Sequence, residues 1–552
     1  MNEDHGPNPP RKDAPGPPSG PVSGGPRVLT AALSAVALLL TALFLYLLVT
    51  WLEGVQPLFQ RGAAGGWPTV VDRETAFETV GSSVEVTAGL LSIVITVVAI
   101  VLELAATRYT HRISELFVRD PVNVIVLSFF VLTTVLSLWI SATFTSGPTA
   151  ADAWLPNATL WLPVGMLSVC LIILLPYFAF VFAFVSPLNT IRHLRKQAMR
   201  TIQTSAGSRR DLDKTRYRIL ESIEELSDLA RGALVQKDRS IAMAVADSFG
   251  QLLRAFWAVR DELPAPFFTL DGPVAQDPDF VSTDASVQRR ISDQGSWLEV
   301  KIFQQLLEIF SSSVGTARDV GNFLAITMRD LAIDTRAESR QTLALCLQVF
   351  NSYLRATING RDLRLAYYVL DLYRQVAEDL VERGDEENAI QIGQFMRYYG
   401  QISYDAGLGF LLETVAYDLS RLIDRAQQLD SPATDPLLVI FLEVDRPEEP
   451  THDGEDRLLA VRRIQAQLAA ALLSRGDTKR ANQIRSDMQS ERGERLGIIQ
   501  RELMQEERAE YWEFSDRGVN FAYLPPEQRP FLETFFASFD PPLPGEGVDA
   551  SR

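Results

Sequence analysis

The sequence predicts an all-α protein in which four transmembrane helices are followed by a large soluble helical domain. Four apolar runs occupy the first third of the 552 residues. Each run is close to the roughly 20 residues that a helix needs to cross a bilayer core at about 1.5 Å per residue. Beyond Arg200 the chain is polar and charged, and its apolar residues recur at helical spacing. The change near Arg200 therefore separates a membrane region from a soluble one.

The apolar runs cover residues 28–51, 86–104, 122–140 and 158–185. Residues 1–27 are rich in Pro and Gly and are predicted to be disordered, as is the tail 541–552. A cleaved signal peptide is the alternative interpretation of the first run. That run is longer than a typical signal core, and no small-residue cleavage motif closes it. A retained helix is therefore predicted, and the membrane domain is expected to cover residues 28–186.

Positive charge between the runs predicts the orientation of the helices. The first connection, about 53–84, is poor in basic residues, and the third, about 141–157, has none. Basic residues follow the second and fourth runs: Arg108, Arg112 and Arg119, and then Arg192, Arg195, Lys196 and Arg200. Because short loops enriched in Lys and Arg stay cytoplasmic, both termini are predicted to be inside. Residues 187–211 would then be a basic juxtamembrane linker, and residues 212–540 a cytosolic helical domain.

Composition excludes several classes of function. Acidic and basic residues are equal in number up to residue 200, so the formal charge of −17 falls on residues 201–552. Such a surface repels phosphate, and no nucleic-acid partner is expected. Two cysteines, Cys170 and Cys346, and four scattered histidines predict neither a disulfide framework nor a His/Cys metal site.

Helical periodicity continues through the soluble part. The predicted segments are 216–231, 240–260, 296–332, 337–358, 363–383, 386–406, 411–429, 455–475 and 479–512. Two longer breaks, 264–292 and 431–454, contain Pro, Asp and Gly and are predicted to be exposed loops or hinges.

An Asp followed four residues later by Ala recurs at the helix starts. The pairs are Asp238/Ala242, Asp362/Ala366, Asp385/Ala389 and Asp477/Ala481. An Asp at the N-cap accepts free backbone amides of the first turn, and Ala allows a partner helix to approach closely. This pattern favours a helical-hairpin domain with solenoid-like stacking. The intervals of 124, 23 and 92 residues do not establish a regular array, so generic helix capping is the alternative.

The chain contains no Walker A loop, Gly-x-Ser-x-Gly, His-Glu-x-x-His or strand-linked Gly-x-Gly-x-x-Gly motif. The acidic pairs Glu386–Glu387 and Glu413/Asp418 are expected on solvated helix faces. No catalytic, cofactor-binding or metal-binding residue is predicted, and no cofactor is expected. A non-enzymatic protein is therefore predicted.

Glu103 is the most notable charge within an apolar run. Inserting a carboxylate costs on the order of 2.5–3.5 kcal/mol at a helix centre, so such a residue marks either a buried pair or an ion path. Glu103 lies about one turn from Arg108. Pairing with Arg108 or Arg112, or reaching the interface, removes most of that cost. The alternative is a role in a pore or in proton transfer.

Residues 107–121 place Arg on one helical face and apolar side chains on another. This segment and the basic collar that follows the fourth run could contact anionic lipid or dock on the soluble domain. Ordinary topology determination by positive charge is the alternative. The candidate contacts are Arg119, Asp120, Arg192, Arg195, Lys196 and Arg200.

The stretch 101–135, VLELAATRYTHRISELFVRDPVNVIVLSFFVLTTV, resembles a bacterial family of predicted membrane proteins, domain of unknown function 2254. In that family a membrane helix ends in a small polar residue, an aromatic, an Arg and a Phe-x-Arg-Asp turn. The matching residues here are Thr107, Tyr109, Arg112, Phe117, Arg119 and Asp120. The family usually has Pro where this chain has His111, and its Asn-Asp-Pro motif is absent from the later matching stretch 231–253. The resemblance covers about residues 30–250. It implies an integral bacterial inner-membrane protein and no established activity.

Two functional hypotheses follow. The first is a protein-binding scaffold or sensor in the bacterial inner membrane, with the cytosolic domain contacting a protein partner. The alternative is an oligomeric ion channel or transporter subunit with Glu103 near the pore. Because four helices rarely enclose a pore, that alternative requires a homo-oligomer.

Overall fold

The computed structural model describes residues 73–108, 120–145, 157–205, 212–335, 340–445, 459–511 and 516–539, together with Leu40, Phe44 and Leu48. Within these ranges the chain is helical and has no strand, apart from one isolated bridge between Glu510 and Val519. The predicted all-α class is confirmed. The chain forms two compact units: the first contains Met1–Thr107 and His111–Val185, and the second contains Ser186–Arg552 together with Arg108–Thr110.

The first unit contains three helices that are long and apolar enough to cross a membrane. They are α1 (Arg73–Arg108), α2 (Pro121–Thr145) and α3 (Asn157–Val185), with apolar stretches at Glu78–Glu103, Pro121–Ala142 and Leu162–Phe182. Three of the four predicted spans therefore have helical counterparts. The first run, 28–51, lies outside the described residues except at Leu40, Phe44 and Leu48, which are helical. The predicted loop 53–84 is wrong from residue 73 onward, because α1 already begins there.

Polar side chains in the first unit hydrogen-bond within it. The Tyr177 hydroxyl donates to Asn123 Oδ1 at 2.5 Å, which joins α3 to α2. The hydroxyls of Thr133 and Thr134 each donate to the carbonyl four residues earlier in α2, at 2.8 Å. In a hydrocarbon environment hydroxyl groups need such hydrogen bonds within the protein, because no water is there to replace them. Around these bonds the helices share a buried apolar cluster of Val94, Val98, Phe130, Cys170, Tyr177 and Val181.

The second unit is a long succession of helices. In chain order they are α4 (Pro187–Ser205), α5 (Leu212–Val235), α6 (Arg239–Val259), α7 (Gly272–Ala275), α8 (Pro278–Val281), α9 (Ala285–Gln294), α10 (Trp297–Ser313), α11 (Arg318–Asp334), α12 (Arg340–Asn359), α13 (Leu363–Glu382), α14 (Glu386–Asp405), α15 (Gly409–Gln428), α16 (Thr434–Leu442), α17 (Leu459–Ser474), α18 (Thr478–Met488), α19 (Gly493–Gln505) and α20 (Arg529–Ala537).

These helices pack in two rows. Helices α4, α6, α11, α13, α15 and α17 form the first row, in which each contacts the next. Helices α5, α10, α12, α14 and α16 form the second row in the same way, and consecutive helices from α10 to α16 contact each other across the rows. Contacts to the next helix and to the next but one are typical of stacked helical hairpins. The short helices α7 to α9 are an insertion between α6 and α10.

The joints between helices repeat every 23 residues. At Arg361, Gly384, Gly407 and Asp430 the backbone enters the left-handed region, with φ of 51°, 76°, 77° and 51°, and Gly476 follows two periods later. The next residue donates its N–H to the carbonyl five positions earlier, for example Asp385 to Leu380 at 2.9 Å and Leu408 to Ser403 at 2.8 Å. This is the Schellman ending of a helix. The interval of 92 residues between Asp385 and Asp477 is therefore four periods, with Leu408 and Ser431 at two intermediate joints where Asp would otherwise stand.

The capping prediction is confirmed at three of the four Asp residues. The carboxylates of Asp362, Asp385 and Asp477 accept backbone amides at the starts of α13, α14 and α18. Asp238 also precedes a helix, but its carboxylate accepts the hydroxyl of Ser240 instead. The paired residues Ala242, Ala366, Ala389 and Ala481 are all buried.

Several predicted boundaries in the second unit are wrong. The segment 296–332 is two helices, because the chain turns at Gly315, whose φ is 70°. The segment 479–512 is also divided, between Met488 and Gly493. The breaks 264–292 and 431–454 contain helices α7 to α9 and α16. The predicted linker begins as helix α4, because its apolar residues form a stripe that is buried: Ile191, Leu194, Ala198 and Ile202.

Candidate functional site

Glu103 lies near the end of α1 and its side chain is exposed. Arg108 is the last residue of that helix, but its side chain and all of Arg112 lie outside the described part of the chain. The predicted pairing of Glu103 with these arginines, and the alternative ion path, therefore stay predictions.

Asp120 caps α2. Its carboxylate accepts the backbone N–H of Val122 at 2.9 Å, which satisfies an amide that the first turn leaves free. Arg119 lies outside the described residues. This geometry gives Asp120 a local role at the helix start, and its contact with lipid or with the soluble domain stays a prediction.

The basic collar falls on α4, and its members divide into two groups. Arg192, Lys196 and Arg200 are exposed, on the side opposite the buried apolar stripe. Arg195 is largely covered and lies 3.9 Å from Asp247 on α6. Three of the four basic residues thus face outward, and their contact with anionic lipid stays a prediction.

The described residues also bring together three carboxylates that the sequence analysis did not connect. Glu224 of α5, with Asp277 and Asp279 around α8, place their oxygens within 4.8 Å of one another, a spacing that could hold a metal ion. The fully buried Lys301 lies among them, with its Nζ 2.9 Å from Asp277, 2.6 Å from Asp279 and also bonded to Glu224. Burial lowers the pKa of Lys301, but its carboxylate hydrogen bonds outweigh this and raise the pKa overall. The cation of this cluster is therefore the lysine ammonium.

A second buried cluster joins the C-terminal part of the chain to the first row. The Arg517 guanidinium forms a bidentate pair with Asp418 of α15, at 2.7 and 3.0 Å, and it also donates to the Tyr367 carbonyl. Its central carbon lies 4.1 Å from the centre of the Tyr367 ring. Asp371 is 3.8 Å away. We call Tyr367, Asp371 and Asp418 the arginine socket.

The centre of the socket is buried and the socket carries excess negative charge. Asp418 is 0% exposed and Arg517 is 5% exposed. Arg374 supports the two acids from the side, 2.6 Å from Asp371 and 3.3 Å from Asp418. Burial raises the pKa of Asp418 above its ordinary value, although Arg517 and Arg374 act in the opposite direction. Arg374 also pairs with Glu378, so the three carboxylates of Asp371, Asp418 and Glu378 outnumber it, and Arg517 supplies a second cation.

Arg517 belongs to a C-terminal segment, residues 506–511 and 516–524, that crosses α13, α15 and α17. Phe521 stacks on Tyr417 at 4.3 Å and is 6.1 Å from Phe410. The Gln467 amide of α17 donates to the carbonyls of Phe521 and Tyr523, at 2.9 and 3.2 Å. Three helices of one row therefore hold one segment through a guanidinium, an aromatic ring and backbone carbonyls.

A cavity of about 520 Å³ lies between the segment and the starts of α13 and α15. Phe410 and Leu363 line it and remain 46% and 37% exposed. Glu413 and Arg463 form a charged edge, 3.4 Å apart, and burial raises the pKa of Glu413 while Arg463 lowers it. Apolar and charged side chains are thus available beside the residues that hold the segment.

The comparison with protein families concerns the N-terminal part of the chain. Residues 28–248 match DUF2254, described as a predicted membrane protein. This confirms the resemblance. No curated protein and no solved structure matches the chain. The DUF2254 match extends through the membrane helices and ends within α6, so all residues of the arginine socket lie beyond it.

Asp418 is predicted on a solvated helix face, and this prediction is wrong because the side chain is fully buried. Asp418 lies seven residues after Leu411 and four before Leu422, both buried, so it falls within the apolar stripe of α15. Lys301 falls in the stripe of α10 in the same way, between Leu298 and Gln305. A charge inside an apolar stripe was the available signal. Its partners could not be read from the sequence, because Arg517 is separated from Asp418 by 99 residues.

Proposed function

We propose that this membrane protein of unknown function is a non-enzymatic scaffold of the bacterial inner membrane. Its DUF2254 region anchors the chain, and the two-row helical array binds a partner protein on the cytosolic side. The observation that carries the proposal is the C-terminal segment, because the first row already holds an irregular stretch of polypeptide on α13, α15 and α17.

The contacts between the first row and the C-terminal segment are ones that a protein ligand can also make. Gln467 recognises backbone carbonyls, which every polypeptide presents, and the aromatic group around Phe521 accepts a flat apolar side chain. Stacked helical hairpins offer extended surfaces for such ligands. The acidic balance after residue 200 favours a basic partner, because complementary charge speeds encounter and excludes acidic competitors.

The channel alternative would place Glu103 near the pore, and Thr133, Thr134 and Thr143 of the third predicted span would be candidate lining. Thr133 and Thr134 use their hydroxyl donors within α2, and the Thr143 side chain lies outside the described part. Such bonds do not decide between the hypotheses; what favours the scaffold is the segment held on the first row, which the channel alternative does not explain. Unchanged ion flux in Glu103→Gln would further weaken the channel hypothesis.

Site-specific photo-crosslinking in the native membrane tests the scaffold. A photoreactive phenylalanine replaces Phe410 on the first row or, as the matched control, Tyr398 on the second row, since both are about half exposed. We expect one defined polypeptide to crosslink at position 410 and not at 398, and to be recovered in both directions when the partner is tagged. The absence of any reproducible polypeptide at position 410, with the chain correctly inserted, would contradict the proposal.

A further inference from the structure

The arginine socket has every feature that selects a guanidinium. Asp418 supplies a bidentate carboxylate, Tyr367 supplies both a ring face and a carbonyl, and Asp371 adds negative charge. A planar guanidinium satisfies all of these at once, whereas a lysine ammonium cannot make the bidentate pair. The socket is thus specific for one side chain, while Gln467 and the aromatic group accept the backbone and ring of many sequences.

We propose that the arginine socket is the recognition site for an arginine-bearing segment of a partner protein, and that Arg517 occupies it as an internal ligand. This inference rests on the proposed scaffold function and specifies its partner chemistry. The partner segment carries Arg, with an aromatic residue close behind it, as Arg517 and Phe521 do here. It binds by displacing the C-terminal segment from α13 and α15.

The way the segment is attached permits displacement. Residues 516–524 are not part of a helix, and Gly518, next to Arg517, adopts a φ of 62°. The flanking helices α19 and α20 pack against α17, independently of the socket. Removal of Arg517 would leave Asp371 and Asp418 facing Arg374 alone in a buried site, so an empty socket is unfavourable and exchange with another arginine is favoured. The binding surface is therefore kept closed until a competitor with the same chemistry arrives.

A peptide exchange experiment tests this inference. The full chain in nanodiscs is titrated with a labelled peptide of residues 516–525, DRGVNFAYLP. We expect weak binding to the wild type and binding at least about tenfold tighter to Arg517→Ala, whose socket lacks its internal ligand. The matched peptide with Lys in place of Arg should bind at least about tenfold more weakly, because it loses the bidentate pair. The double variant Arg517→Ala/Asp418→Asn should lose the preference for Arg.

Equal binding of the Arg and Lys peptides, or no binding to a folded Arg517→Ala chain, would overturn the proposal. If that variant does not fold, hydrogen exchange on the wild type decides. Excess Arg peptide should then accelerate amide exchange of residues 516–524, and the Lys peptide should not. No acceleration by the Arg peptide would refute displacement. A partner crosslinked at position 410 without peptide exchange would refute only the socket. Peptide exchange without any partner would refute the scaffold, and with it the partner as the ligand, while still demonstrating the preference of the socket for arginine.

Discussion

Lys301 and Arg517 each bring a cation into a set of buried carboxylates, but the two clusters are connected to the chain differently. Lys301 is on α10, within the array, and its acids are on α5 and around α8. Arg517 is on a non-helical segment and reaches acids nearly 100 and 150 residues earlier in the chain. The first cluster joins the long helices α5 and α10 to the short helix α8, so it opens when one of these three helices moves away from the others. The second opens when the C-terminal segment alone moves away. We therefore expect the Lys301 cluster to stay closed in the folded chain and Arg517 to be replaceable by another arginine.

The largest expected effect breaks the Lys301 cluster. Lys301→Met keeps the length and apolar stem of the side chain but leaves Glu224, Asp277 and Asp279 without their cation. We expect the free energy of unfolding of the second unit to fall by about 3–5 kcal/mol, because uncompensated buried charge is costly. Denaturant unfolding of the full chain in nanodiscs, followed by tryptophan fluorescence, measures it. A loss below about 1 kcal/mol would show that the cluster contributes little to the stability of the fold.

Calcium binding provides a second test of the Lys301 cluster. In Lys301→Ala the three carboxylates retain the oxygen geometry that a hard cation accepts. Millimolar Ca²⁺ is expected to raise the melting temperature of Lys301→Ala and to leave the wild type unchanged, with Lys301→Ala/Asp277→Asn as the control. Equal shifts in all three proteins would mean that calcium acts elsewhere.

Breaking the Arg517 cluster should have a smaller and more local effect. Arg517→Ala is expected to cost about 2 kcal/mol, because Arg374 still compensates part of the charge of Asp418. Hydrogen exchange should rise in residues 516–524 and at the starts of α13 and α15, while α10 and α5 keep their protection. Uniform loss of protection across the array would contradict the division between the two clusters.

Asp445, which lies in neither of these clusters, makes the stability of the chain depend on pH. Burial, against the opposing effect of Arg462 2.8 Å away, raises the pKa of Asp445 to about 6. From about pH 4 to pH 6 the folded chain therefore keeps a proton that the unfolded chain has lost, and this residue's contribution to stability falls as pH rises. Asp445→Asn should remove that slope and increase stability at pH 7 by about 1–3 kcal/mol. The exposed Asp261→Asn is the control, and an unchanged slope in Asp445→Asn would show that Asp445 does not titrate in this range.

The sequence predicted the features that depend on local pattern. Apolar length predicted the helices of the first unit, and Asp362, Asp385 and Asp477 marked helix starts because capping involves neighbours in the chain. It could not predict which charged residue meets which, since Arg517 and Asp418 are brought together only by stacking of the rows. The 23-residue period was also hidden, because Leu408 and Ser431 stand at joints that the Asp pattern could not recognise.

The smallest losses of stability are expected at the joints between helices. Their size should depend on how many groups the capping Asp binds. Among the described residues, Asp385 accepts amide hydrogens from Asn388 alone. Asp362 accepts the N–H of Leu365 in its own helix and also that of Gly315 at 3.1 Å, and it lies 3.4 Å from Arg318. Asp385→Ala is expected to cost about 1 kcal/mol, and Asp362→Ala about 2 kcal/mol because a buried group is left without its acceptor. Asp385→Ser should restore most of the first loss, since Ser also caps. Equal losses for the two Ala variants would mean that the bonds of Asp362 to Gly315 and Arg318 contribute nothing, and that each joint acts only on the helix it starts.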